Sequence, residues 1–137
     1  MPEKNDTFLQ YTWPAFSWAA LILILCGIPG TTIPKLSFLE WLRPDKVAHL
    51  ILFGMQCFLL IRGFSKQKDF QFLKKNAVVI ALILSIAYGG IVELMQVYIF
   101  TQRSGDIRDA LANSLGAFMG YWFYKWNVRR SAKVMSN

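Results

Sequence analysis

The chain has few groups suited to metal or nucleophilic chemistry. Its 137 residues include one histidine and two cysteines. One histidine excludes a multi-histidine metal site, so only a mixed His49, Glu93 and Asp109 set remains to be weighed. There is no Gly-x-Ser-x-Gly elbow of the kind that exposes a nucleophilic serine. From these absences we expect no cofactor and no resident metal. Charge is also missing over long stretches. Thr7 to Pro34 and Ala110 to Tyr124 contain no charged residue. His49 is the only readily ionisable side chain from Val47 to Ile61, and Glu93 is the only charge from Asn76 to Gln102.

Hydrophobic residues fill those stretches. They make up 55% of the chain, above the roughly 45–50% of soluble domains. A spanning helix needs about 20 mostly apolar residues. The first and third blocks meet that length; the second and fourth must borrow flanking polar residues. We therefore expect one all-α domain over residues 1–137, a polytopic membrane bundle of four transmembrane helices. Their expected spans are about 12–30, 45–62, 76–99 and 109–126. A signal peptide is a poorer reading of the first block. Its leader sets Lys4 against Glu3 and Asp6, so it lacks a basic n-region, and no small-x-small cleavage site follows. Bulky Leu25 before Cys26 argues against lipoprotein processing.

The net charge of +7 suggests a nucleic-acid partner only until the cations are located. With four spans, the amino terminus, middle loop and carboxyl tail share one side. That side carries Lys4, then Arg62, Lys66, Lys68, Lys74 and Lys75, then Lys125, Arg129, Arg130 and Lys133. The other side carries Lys35, Arg43, Lys46, Arg103 and Arg108. This bias puts both termini in the cytoplasm. The partners expected are the bilayer and its anionic headgroups, not nucleic acid. Cys26 and Cys57 fall at different depths, so no disulfide is expected between them.

Pro14 is placed in the first turn of helix one, with Gly27, Pro29 and Gly30 loosening its far end. Residues 31–43 are expected to form an outer loop touching the interface. Pro44 starts helix two, and 65–75 is a basic inner loop.

The polar residues are not scattered along the helices. Asp45, Lys46 and His49 lie in the outer turns of helix two; Asp45 and His49 are four apart and share a face. Glu93 and Gln96 lie near the outer end of helix three. Asp109 and Asn113 open helix four, and Arg103 and Asp106 sit in the loop before it. Three helices and one loop thus bring polar groups to one depth on one side. Each has an ordinary explanation as well. Asp45 and Asp109 suit helix amino termini. Arg103 and Arg108 suit loop ion pairs with Asp106 or Asp109. Lys46 suits snorkelling to headgroups. Asn113 suits bonding across helices, and Gly116-x-x-x-Gly120 suits close helix packing. Glu93 fits such an explanation least. A carboxylate at the bilayer centre costs about 2.5–3.5 kcal/mol, less near the interface, and marks a site by default.

The combination of Asp45-Lys46-x-x-His49, Glu93-x-x-Gln96, Arg103-x-x-Asp106-x-x-Asp109 and Asn113-x-x-Gly116 resembles the VanZ-like family of small bacterial membrane proteins. The resemblance covers residues 45–124. Where that family usually has Pro-Gly-Arg before the aspartates, this chain has Thr101-Gln102-Arg103, with Gly105 after it. The family is named for a protein of glycopeptide-resistance clusters that raises tolerance to teicoplanin. The resemblance implies action at the outer face and supplies no reaction. Three readings stay open. One is an outward pocket for an anionic or amphiphilic envelope component or a lipoglycopeptide, with Arg103 contacting the anion and Glu93 and His49 as an acid–base pair. The others are an enzyme acting on a lipid-linked substrate, and a structural subunit.

Overall fold

A computed structural model describes residues 7–29, 44–100 and 105–135. The described residues are helical, with no strand among them. The elements in order are α1 (Thr7–Gly27), α2 (Pro44–Ser65), α3 (Gln71–Lys75), α4 (Ala77–Tyr98) and α5 (Ile107–Met135). By length and composition, three of them can cross a membrane: Phe8–Gly27 of α1, Asp45–Ser65 of α2 and Ala77–Tyr98 of α4. The fourth expected span corresponds to α5. It is long, at 29 residues, but Asp109, Asn113, Ser114 and Lys125 dilute its apolar run.

Several boundaries differ from expectation. Helix α1 starts earlier, so Pro14 lies inside it rather than in its first turn, and it ends at Gly27. An internal proline is tolerated in a membrane helix because neighbouring groups satisfy the freed carbonyl. Helix α2 continues past Arg62 to Ser65. The middle loop contains the short helix α3, which the sequence reading treated as irregular. Asn76 separates it from α4; its backbone N–H and its side-chain Nδ2 both donate to Phe72 O. Helix α5 runs to Met135, beyond the expected end near 126. Its basic tail lacks Gly and Pro, and Lys, Arg, Ala and Met are good helix formers. The expected interfacial loop at 31–43 lies outside the described residues.

Helix α2 is central and packs against each other helix, most extensively against α5. Glycine explains that closeness. A Cβ on Gly54 of α2 would lie 3.0 Å from Gly116 O. A Cβ on Gly116 would run into Leu50 O, and one on Gly120 into Gly54 O. The two backbones therefore touch, as small-xxx-small surfaces allow. The apolar core has two levels. One gathers Ala15, Cys57, Leu60, Ile61, Phe64, Ala77, Ala81 and Ala117; the other gathers Ile22, Cys26, Phe53 and Val92. The two cysteines lie in different clusters, and no disulfide joins them. Polar contacts fix helix rotation. Trp18 Nε1 donates to Leu52 O at 2.9 Å, and Tyr88 Oη to Ala19 O at 2.6 Å.

Candidate functional site

The amino-terminal ends of α2 and α5 and the carboxyl-terminal end of α4 meet at one end of the bundle. Asp106 organises the start of α5. Its Oδ1 accepts the Arg108 N–H at 2.9 Å, and its carbonyl accepts the Asp109 and Ala110 N–H groups. This is amino-terminal capping, which satisfies donors that have no partner within the helix. Capping turns Asp109 and Asn113 inward, and both are buried.

Asn113 is the centre of the site. Its Nδ2 donates to Glu93 Oε1 at 3.3 Å, and its Oδ1 lies 2.9 Å from His49 Nδ1. Because the amide oxygen faces His49, this network assigns the proton to Nδ1. Glu93 Oε1 also lies 3.6 Å from His49 Nδ1, an ion-pair distance rather than a hydrogen bond. The other Glu93 oxygen accepts the Asp106 N–H at 3.3 Å. Phe53 stacks on the His49 ring, with centroids 6.4 Å apart and planes within 6°. His49, Glu93 and Asn113 are each less than a tenth exposed.

Lys46 forms the neighbouring half of the site. Its Nζ bonds Asp109 Oδ1 and lies 3.2 Å from Asp106 Oδ2 and 3.8 Å from Asp45 Oδ2. It therefore reaches into the acid cluster instead of snorkelling away, and Asp109 pairs with it rather than with Arg108. The Arg108 backbone N–H, aided by the Lys46 ammonium, holds the Asp106 carboxyl below its ordinary value. Donor atoms of His49, Glu93 and Asp109 lie within 4.8 Å of one another, a set that a divalent cation uses. In this arrangement the Lys46 ammonium already serves as the cation for Asp109.

Two predicted residues stand apart. Gln96 turns away: its Nε2 donates to Cys26 O of α1 at 3.2 Å, tying α4 to the end of α1. Three residues along a helix is a turn of about 300°, so Glu93 and Gln96 neighbour each other yet face different partners. Asp45 lies at the rim with a half-exposed side chain. Arg103 lies outside the described residues.

Among the glycines at this end, Gly105 was expected in the loop before helix four, whereas Gly89 was not singled out from sequence. A Cβ on Gly89 would lie 2.9 Å from Asn113 Cβ, so α4 carries glycine where Asn113 approaches it. A Cβ on Gly105 would lie 3.0 Å from Glu93 O and run into Val97. The Gly89-Gly90 pair inside an apolar helix was the available signal.

Apolar helices enclosing a buried polar cluster at one end define a multi-pass helical membrane protein with a candidate polar site. The VanZ/LLP1 family model matches residues 6–129, and the chain belongs to that family. No curated protein and no solved structure matches it.

Proposed function

We propose that the chain is a four-span bacterial inner-membrane protein whose polar end faces outward and binds an amphiphilic component of the cell envelope. Helix α5 is the fourth span in this reading. Its 29 residues rise about 43 Å, enough to cross a hydrocarbon core of about 30 Å. The basic residues of the middle loop and carboxyl tail then lie on the cytoplasmic side. The observation that carries the reading is the joining of α2, α4 and α5 through His49, Glu93 and Asn113. Buried ionisable groups in a membrane bundle are a functional site by default. His49 and Glu93 form the acid–base pair, Asn113 orients both, and Lys46 balances the aspartates. Gln96 and Asp45 are peripheral, and Arg103 is the proposed contact for an anionic group.

The family resemblance is the ground for proposing that this site contributes to lipoglycopeptide tolerance. Expression in a teicoplanin-sensitive Gram-positive host is expected to raise tolerance to teicoplanin more than to vancomycin. Teicoplanin's acyl chain anchors in the bilayer, each buried CH₂ contributing about 0.8 kcal/mol. Glu93→Gln is expected to abolish the effect at unchanged membrane levels. Arg103→Lys keeps the charge but loses the bidentate fork, and is expected to weaken the effect. Full tolerance in both variants would leave the polar cluster structural. Turnover of an envelope lipid by the purified protein would instead favour an enzyme using the same residues.

A further inference from the structure

A groove of about 550 Å³ follows the seam between α4 and α5. This is within the range of roughly 300–1,000 Å³ typical of ligand sites. Its apolar walls include Gly90, Leu94, Val97 and Ile107, and its two ionisable lining residues are Glu93 and Asp106. Along α4 it runs from Ala87, at the helix midpoint, to Val97 near the end. Ten residues of helix rise about 15 Å, half of a hydrocarbon core of about 30 Å. The groove therefore spans the depth of one leaflet and ends at the polar site.

Gly90 keeps the groove open. A Cβ there would meet nothing within 4 Å, so no neighbouring chain requires a glycine at that position. Gly89 beside it is tight against Asn113. The charged lining is of one sign, since both ionisable residues are carboxylates. Lys46 and the Arg108 N–H engage Asp106, yet its side chain stays 41% exposed. An ammonium complements such an end; a phosphate alone does not.

We propose that this groove seats one acyl chain of a lipid from the leaflet at the polar end, with the lipid's ammonium headgroup against the exposed Asp106 carboxylate. The proposal rests on the reading of that end as a ligand site, and it specifies the ligand class.

The test uses the full chain in nanodiscs of equal phosphatidylethanolamine and phosphatidylglycerol, followed by native mass spectrometry of retained lipid. Phosphatidylethanolamine is expected to exceed phosphatidylglycerol by about two- to fivefold, the size of one exposed charge pair. Gly90→Leu fills the groove and is expected to remove the bias without lowering the melting temperature, since a Cβ there meets nothing within 4 Å and leucine favours the helix over glycine. Asp106→Asn keeps a capping side chain but removes the charge, and is expected to remove the bias while leaving total retained lipid unchanged. Equal retention of the two lipids by the wild type, or an unchanged bias in folded Gly90→Leu, would overturn the proposal. The broader reading is tested separately by teicoplanin tolerance. Tolerance lost in Glu93→Gln with no lipid bias in the wild type would sink the groove alone. Full tolerance in Glu93→Gln and Arg103→Lys would sink the site reading.

Discussion

The two ends of the bundle use the same helices for opposite purposes. Toward the carboxyl-terminal end of α2 and the start of α4, the packing is mainly apolar: Ala15, Cys57, Leu60, Ile61, Ala77, Ala81 and Ala117 form one cluster. The buried polar side chains there, Thr12 and Gln67, carry no charge. Toward the other end, the same helices bury His49, Glu93, Asp109 and Asn113. Transmembrane helix association relies on close packing of small residues, and the apolar end meets that need. The polar end adds ionisable groups whose burial is costly. Under the proposed reading, the contrast assigns stability and function to different depths of one bundle. Glycine occurs at both levels, at Gly54 and Gly120 for helix contact and at Gly89 for room beside Asn113.

The contrast is broken most severely from the packing side. Gly120→Leu places a side chain against the α2 backbone at Gly54. Overpacking of this kind costs about 1–3 kcal/mol, occasionally more. Thermal melting in detergent is expected to show the largest loss of any single variant discussed here. Lys46→Met comes next. It leaves Asp109, whose side chain is 11% exposed, without its cation. Breaking a fully buried pair costs about 3–5 kcal/mol; the partly exposed Lys46 reduces this to about 1–2 kcal/mol. Adding Asp109→Asn is expected to recover most of the loss, and a double-mutant cycle measures the recovery.

Glu93→Gln sharpens the contrast from the other side. It retains size but turns one acceptor oxygen into a donor, so either the Asn113 Nδ2 or the Asp106 N–H bond is lost. The melting temperature is expected to fall modestly, by the equivalent of about 1 kcal/mol, while the teicoplanin effect disappears. The smallest effect concerns Asp106. Its folded-state carboxyl titrates below the ordinary value of 3.8. Its contribution to stability is therefore present above that value and is lost as pH falls through the lower folded one. The melting difference between wild type and Asp106→Asn is expected to be constant at pH 5–7 and to shrink below the ordinary value.

The helical class, three of the apolar spans and the gathering of Asp45, Lys46, His49, Glu93, Asp109 and Asn113 toward one end were legible because apolar runs set depth and loops set direction. Partner choice was less legible. Gln96 shares a helix end with Glu93 but bonds Cys26 O, since helix rotation follows from packing that periodicity does not state. Lys46 suited either snorkelling or the polar pocket because its stem length is compatible with both directions; Asp106 and Asp109 hold it inward. The length of α5 was underestimated because its last turns interleave basic residues with only scattered apolar ones, Val128, Ala132, Val134 and Met135. The groove at Gly90 was invisible because it depends on where α5 lies beside α4.

The central claim is that the polar end serves a ligand rather than the fold. Replacing its hub with apolar residues of similar volume, as His49→Phe, Glu93→Met and Asn113→Leu together, tests this most directly by thermal melting. A buried polar group kept for function is replaceable at neutral stability or with a gain of about 1–4 kcal/mol. The account predicts a folded bundle that melts at or above the wild-type temperature. Collapse of that variant, with little folded protein recovered, would show that the cluster holds the helices together and would contradict the claim.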